Sequence, residues 1–409
     1  MHISSLTEDL DKLVSDLREW LVSVSGADWK MVAKLLSGND TLANAAHQAG
    51  PYISKSIIFN LFPSILSAKV KNPRKAFSAI IDSHGVRTTP TAIWYNGLTR
   101  NEARITGWGG SQSPLLDPEA TGSLVAFAFR AEPNGDAEEC RIWLCSTPEE
   151  EEVLLDRVGP VESRQIAFLR SPSVPEPPPR DRPCALAPEE LDPDWRYKFP
   201  TTADVVALTI ARLPSATSKR PDERLLARRE CEYELFRSIE EASVLPRIKE
   251  GFGSVDIFVD YANSVTNRRK ARSGASLGLQ TSVVFAEEKL SFTYDAISEG
   301  RKRPDFLFPS AEAYQASKDS TGIRMLAAKT TCKDRWRQIL NEADKIPRKY
   351  LLTLQPGLST NQFQEMKAAG VTLIVPKPLH QSYPRPIRSE LVDLVTFIAE
   401  TKAECGDAS

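Results

Sequence analysis

The stretches RKRPDFLFPSAEAY (residues 301–314) and LAAKTTCKDRWRQILNEADKI (residues 326–346) decide the fold of the C-terminal half. DFLFPS (305–310), IRMLAAKTT (323–331), YLLTLQ (350–355) and VTLIVPK (371–377) are short apolar runs of strand length. Between the second and third of these, Trp336, Ile339, Leu340 and Ala343 recur at i, i+3, i+4 and i+7. That spacing gathers apolar groups into one stripe, so KDRWRQILNEADKI is predicted to be a helix. Upstream, ERLLARRECEYELFRSIEEA (223–242) sets Leu235, Phe236 and Ile239 on one helical face. Strands alternating with helices make this half an α/β domain.

The N-terminal half has another texture. One amphipathic helix (Leu10, Leu13, Val14, Leu17, Trp20 and Leu21 at helical spacing) is followed by β-like runs. TAIWYN (91–96), GSLVAFAFRAE (122–132) and ECRIWLCST (139–147) are separated by Gly, Asn and Pro. Closely spaced strands with turn punctuation point to a barrel or sandwich. Nine of the 29 prolines fall between Ser171 and Pro200. Proline fixes φ and lacks an N–H donor, so this stretch reads as a semi-rigid linker. The expected division is an N-terminal domain over 1–170, a linker over 171–200 and a C-terminal domain over 201–409.

The 409 residues carry 52 Lys and Arg against 54 Asp and Glu, a net charge of −2. That balance hides an asymmetry: Tyr261 to Tyr350 holds 17 basic and 10 acidic residues. Such a region suits a polyanion-binding face, and equally an ordinary solvated surface. No apolar run reaches the roughly 20 residues of a membrane helix. The acidic, amphipathic start excludes a secretory signal. Six scattered cysteines without a CxxC, and four histidines, offer no zinc spacing. The expectation is a reduced, cytoplasmic, multi-domain protein.

One constellation carries chemistry. Asp305 opens a strand, Lys329 ends the next, and Glu342 follows 13 residues later, far enough to turn back toward the strand ends. Two carboxylates around a hard cation, with a lysine alongside, suit phosphodiester hydrolysis. The same three residue types also make surface ion clusters, and Ala327 stands where an acid two before the lysine is usual.

The wording around these residues resembles the EcoRII-type type II restriction endonucleases. The resemblance rests on the two stretches quoted first and on GFGSVD (251–256), ANSVTNRRKARSG (262–274) and VPKPLHQSYP (375–384). In the N-terminal half it rests on SGNDTLANAAHQAGPYI (37–53), LTRNEARITGWGG (98–110) and SPLLDPEATG (113–122). It spans about residues 35 to 400.

The resemblance implies a C-terminal α/β PD-(D/E)xK-like nuclease core and an N-terminal β-rich DNA-binding pseudobarrel that also covers the catalytic cleft. It further implies a homodimer cutting double-stranded DNA at CCWGG with magnesium (Mg2+), stimulated by a second site bound as effector. Asp305 and Glu342 then correspond to the metal-binding acids and Lys329 to the catalytic lysine. Lys333, Asp334 and Arg335 match the base-reading segment; Arg or Lys can donate to guanine, and a carboxylate can accept from cytosine. Arg229 and Tyr233, an i, i+4 pair, match residues that sandwich flipped central nucleotides. His47, Tyr52, Arg100, Glu102 and Arg104 match effector-DNA contacts. Gly278 stands where the family carries a further acid, which implies weaker metal binding. Two alternatives follow: a sequence-specific DNA binder with weakened or lost cleavage, and a structure-specific repair nuclease. Tyr314 as a covalent nucleophile is unnecessary beside two carboxylates.

Overall fold

The computed structural model describes residues 15–45, 49–97, 101–131, 135–158, 161, 166–169, 183–333 and 335–406. Met1–Glu176, Gln355–Gln364 and Gln381–Ser389 form one compact unit; Pro177–Leu354, Glu365–His380 and Glu390–Ser409 form another.

The first unit holds nine strands: β1 (Trp29–Leu35), β2 (Arg74–Ala76), β3 (Ser78–Ile81), β4 (Val86–Thr88), β5 (Thr91–Tyr95), β6 (Glu102–Thr106), β7 (Leu124–Ala131), β8 (Ala137–Leu144) and β9 (Ala167–Leu169). Helices α1 (Lys55–Leu61), α2 (Pro63–Ser67) and α3 (Pro148–Val158) accompany them. Six strands pair in the order β4-β3-β8-β7-β1-β9, and β2-β5-β6 make a separate three-stranded sheet. The three expected runs all fall in strands. Strand alternation explains why β7 is apolar on both faces. Val125, Phe127 and Phe129 enter a core with Phe62, Phe77 and Trp108. Leu124, Ala126 and Ala128 enter a second core with Leu17, Trp20, Leu154 and Val158. Of the expected N-terminal stripe, Leu17, Trp20 and Leu21 lie in helical residues 15–23; Leu10, Leu13 and Val14 lie outside the described residues.

The second unit holds β10 (Thr293–Tyr294), β11 (Phe306–Phe308), β12 (Arg324–Lys329), β13 (Lys349–Thr353) and β14 (Val371–Ile374). They pair in sequence order, antiparallel across β10-β11-β12 and parallel across β12-β13-β14. The helices are α4 (Thr202–Arg212), α5 (Pro221–Glu250), α6 (Val255–Glu287) and α7 (Ala311–Ala316), followed by α8 (Thr360–Ala368), whose first five residues count with the first unit, and α9 (Leu394–Cys405). This is the expected mixture of strand and helix. β12 is buried through Ala328, the near-continuous apolar run of a strand covered on both faces. Among the described residues no helix is long and apolar enough to cross a membrane.

Helices α5 and α6 are zipped by ion pairs in which Arg224, Arg228 and Glu240 are buried. Glu287 accepts from Arg224 and Arg228 at 2.7 Å each, and Arg269 holds Glu240 at 2.6 Å. At the start of α5, buried Asp222 accepts from the N–H groups of Lys377, Leu394 and Val395.

Two expectations need correction. Cys184 and Cys231 form a disulfide across 47 residues, so the cysteines are not all reduced. Both are buried beside Val205, Leu235 and Ile239, with Leu186, Leu191, Trp195 and Phe199 packed on that cluster. Sequence gave no hint because the pairing depends on where α5 meets the residues before α4. The second correction concerns KDRWRQILNEADKI. It forms a 3₁₀ helix over Arg335–Asn341, not an α-helix, and Ala343 follows at φ +51°.

Candidate nuclease site and DNA-contact residues

The 3₁₀ geometry sets the position of Glu342. With three residues per turn, i, i+3 and i+6 share one ridge. Trp336 and Ile339 occupy that ridge and are buried; Glu342 comes next, just beyond the last turn. Its backbone is held by Lys349, whose Nζ donates to the carbonyls of Glu342 and of Ala343, the latter at 2.8 Å.

Asp305 immediately precedes β11, and Lys329 is the last residue of β12. Antiparallel pairing of the two strands brings them together. Asp305 Oδ2 accepts from the Ala328 N–H at 2.8 Å and from Lys329 Nζ at 3.2 Å. Oδ1 has no hydrogen-bond partner among the described residues. Ala327 is fully buried, so an acid two before the lysine would point into the core.

Glu342 shares this neighbourhood electrostatically. Burial is the main cause that raises its carboxyl to about 7; the charge of Asp305 adds to it, and Lys329 and Lys349 oppose it. Glu342 Oε2 is buried with no hydrogen-bond partner. An ionised carboxylate oxygen left without a donor carries a desolvation cost that a cation relieves. Two acids with one free oxygen each, beside a lysine, therefore fit a divalent ion. Among the described residues no group of three or more His, Cys, Asp or Glu side chains is placed to hold a metal.

Gly278 has a steric reason. A Cβ there would lie 2.5 Å from Tyr294 Oη and 2.9 Å from its Cε2. Tyr294 was not singled out by sequence reasoning; the signal was a glycine in the interior of a long helix, where it costs about 1 kcal/mol against alanine.

Other expected positions are placed as follows. Tyr314 is fully buried, with its hydroxyl on both carboxylate oxygens of Glu299 at 2.6 Å. Burial and that carboxylate push its phenol strongly upward, the opposite of an activated nucleophile. Arg335 is exposed at the start of the 3₁₀ helix and Lys333 is partly exposed just before it; Asp334 lies outside the described residues.

Arg229 is buried and donates to Glu232 at 3.0 Å and to Ser276. Glu232 also accepts from Arg272 at 2.9 Å. The guanidinium 5.5 Å from the Tyr233 ring centre belongs to Arg272. The structure thus puts Tyr233 beside Arg272, a residue not anticipated.

In the first unit, Tyr52 is 56% exposed. Glu102 and Arg104 lie on β6 and pair at 3.4 Å, and Arg104 Nε is buried without a hydrogen-bond partner. His47 and Arg100 lie outside the described residues.

An acid–lysine pair at adjoining strand ends, with a second acid within its electrostatic reach, suits the chemistry of a metal-assisted phosphodiesterase. The comparisons with known proteins supply the class. The family described as "Restriction endonuclease EcoRII, N-terminal" matches residues 25–171, and "EcoRII C terminal" matches residues 236–398. Over 403 residues the chain is 42% identical to the type II restriction enzyme EcoRII of Escherichia coli, covering 95% of this chain and 98% of that protein.

Two solved structures show weaker likeness. Metal-depleted Ecl18kI in complex with uncleaved, modified DNA is 17% identical with a TM-score of 0.43, over 53% of this chain and 84% of that one. The B3 domain of UbaLAI restriction endonuclease with cognate DNA is 20% identical with a TM-score of 0.26, over 39% and 99%.

The chain belongs to the EcoRII family of restriction endonucleases. It is a DNA-binding type II site-specific deoxyribonuclease, and enzymes of this class generally use divalent metal ions.

Proposed function

We propose that this enzyme hydrolyses double-stranded DNA at CCWGG in a Mg²⁺-dependent reaction, acting as a homodimer and stimulated by a second copy of the site. The observation that carries the reading is the Asp305–Lys329 pair at 3.2 Å, whose charges act on Glu342 with its unpartnered buried Oε2.

Asp305 and Glu342 would hold the metal, which when bound acidifies water and stabilises the departing oxygen. Lys329 orients the attacking water and offsets charge growing on the phosphate. The Ala328 N–H fixes the Asp305 carboxylate, leaving its second oxygen directed away from that bond. Lys349 holds the Glu342 backbone through its carbonyl. These groups make a PD-(D/E)xK-like centre whose second acid has moved beyond the lysine strand.

Lys333, Asp334 and Arg335 read the CC/GG half-sites as donor, acceptor and donor. Arg229 and Tyr233 take the flipped central pair, which requires Arg229 to leave Glu232; Arg272 then remains as its counter-ion. Easy opening of A·T favours W at the centre. The N-terminal β-rich unit binds the second site through His47, Tyr52, Arg100, Glu102 and Arg104, and restrains cleavage in its absence.

The test is digestion of DNA carrying several CCWGG sites, with Mg²⁺ and with excess chelator. Cleavage at those sites only, dependent on the cation and lost in Asp305→Asn, is expected. Retarded but intact DNA would favour a binder without cleavage, and preference for junctions a repair nuclease.

A further inference from the structure

We propose that the joined ends of α5 and α6 form the surface on which a second copy of this chain docks. This rests on the homodimer reading above and deepens it by naming the interface.

The arm begins where the buried ion pairs stop. Glu240, buried and held by Arg269, is the last such group on α5. From Glu241 to Arg269 no residue is buried, although both helices continue through that stretch. Beyond Glu240, α5 runs on to Glu250, which is about 15 Å of helix.

This arm is apolar on the outside. Of the twelve large apolar side chains exposed among the described residues, six stand here: Leu245, Ile248, Val255, Ile257, Phe258 and Val259. Val255 is 76% exposed and Phe258 49%. Val255, Phe258 and Val259, at i, i+3 and i+4, share one side of α6, and Leu245 and Ile248 share one side of α5. The tip joining the helices is built around Phe252. Its ring lies 5.3 Å from that of Phe258, 5.4 Å from that of Tyr261 and 5.0 Å from the Arg247 guanidinium. Apolar side chains concentrated on such a surface mark an interaction site.

Three observations choose a second copy as the occupant. The first is charge. Arg247 and Lys249 lie near the end of α5, and Asp256 and Asp260 near the start of α6. A surface that carries both signs can match itself across a two-fold axis. The same acids repel a phosphate backbone, which is bound by cations. The second is area. At roughly 160–220 Å² for each such side chain in full exposure, the six present about 550 Å² on one copy and about 1,100 Å² on two, against the about 1,000 Å² that a specific interface needs. The third is symmetry. Arg229 and Tyr233, proposed to take the flipped central pair, lie earlier on the same α5. That pair sits on the two-fold axis of a CCWGG site, so the helix that handles it in one copy lies near the same helix of the other.

The experiment uses the full-length protein without DNA. Its mass is followed by sedimentation from about 0.1 to 50 μM, and backbone hydrogen exchange is compared at the two ends of that range. Expected is a particle of twice the 45.4 kDa of one chain at the high concentration. Exchange over residues 241–269 should be at least about threefold slower there than at the low concentration. Val255→Asp combined with Phe258→Asp should raise the dimer dissociation constant at least about a hundredfold, and Phe258→Leu should stay within about fivefold of the parent. Should the double variant not fold, the exchange result on the parent decides alone. A dimer whose arm exchanges equally fast at both concentrations, or one that survives the double aspartate, overturns the proposal and leaves the homodimer reading standing. A parent that stays at 45.4 kDa overturns both. If that monomer floats with phosphatidylcholine vesicles, the arm belongs to a lipid surface instead.

Discussion

Glu342→Gln should make the metal-free protein more stable while abolishing cleavage. In the folded chain the carboxyl is raised from its ordinary 4.5 to about 7, chiefly by burial. The fold therefore favours the protonated acid. Its contribution is fully present below about pH 4.5 and is lost as pH rises through 7, since the native state binds more protons than the unfolded one across that window. At about 1.36 kcal/mol per pH unit the ionised form carries at most about 3 kcal/mol of cost. Solvent reaching the open side of the carboxyl reduces this to about 1–2 kcal/mol. Glutamine removes the charge and keeps the shape. Thermal unfolding in chelator at pH 8 should show a variant melting about 2–6 °C above the parent. The gap should close near pH 4.5. Added divalent cation should raise the melting point of the parent and not that of the variant. A variant less stable than the parent at pH 8, or a gap independent of pH, would refute the placement of this acid.

Four other outcomes follow from the same contacts. Below pH 7, at sub-saturating metal, cleavage should slow by up to about tenfold per pH unit, because Glu342 must ionise to hold the cation; a flat rate profile from pH 6 to 8 contradicts this. Lys329→Met should lower single-turnover cleavage at least about a hundredfold with DNA retardation retained. Glu232→Ala leaves Arg229 and Arg272 buried without their shared carboxylate and should destabilise by about 3–5 kcal/mol in chemical denaturation. Cys231→Ser opens a loop spanning 47 residues and should lower stability by up to about 4 kcal/mol under non-reducing conditions, with no loss when parent and variant are compared in reductant.

The sheets were legible because their signal is local. IRMLAAKTT and YLLTLQ can be buried on both faces only as central strands, and that is how β12 and β13 pack. The helix type after Lys329 was not legible. Trp336 and Ile339 are three apart, which suits 3.6 and 3.0 residues per turn alike. Just past its end, Lys349 reaches back to the carbonyls of Glu342 and Ala343, a contact outside any periodicity. The discontinuity of the first unit was hidden for a similar reason: Arg385 donates its N–H to Asn44 Oδ1 at 2.8 Å, across 341 residues.

At the proposed centre, the charged groups can be named from sequence and the contacts that hold them cannot. Asp305, Lys329 and Glu342 stand out because their residue types announce the chemistry. Tyr294 announces nothing by type, and only the folded chain shows that it takes the space beside Gly278. The same holds for Arg229. Its spacing to Tyr233 is as expected, yet spacing says nothing of what a guanidinium meets in the folded chain. Here it meets Glu232, and Arg272 takes the neighbouring ring. A base could claim Arg229 only by drawing it out of a buried ion pair, which costs several kcal/mol unless Arg272 keeps Glu232 neutralised. That second arginine makes the exchange feasible. If Arg229 and Tyr233 take a flipped base as proposed, Arg272→Ala should impair its stacking, a loss readable with a fluorescent base analogue at the central position.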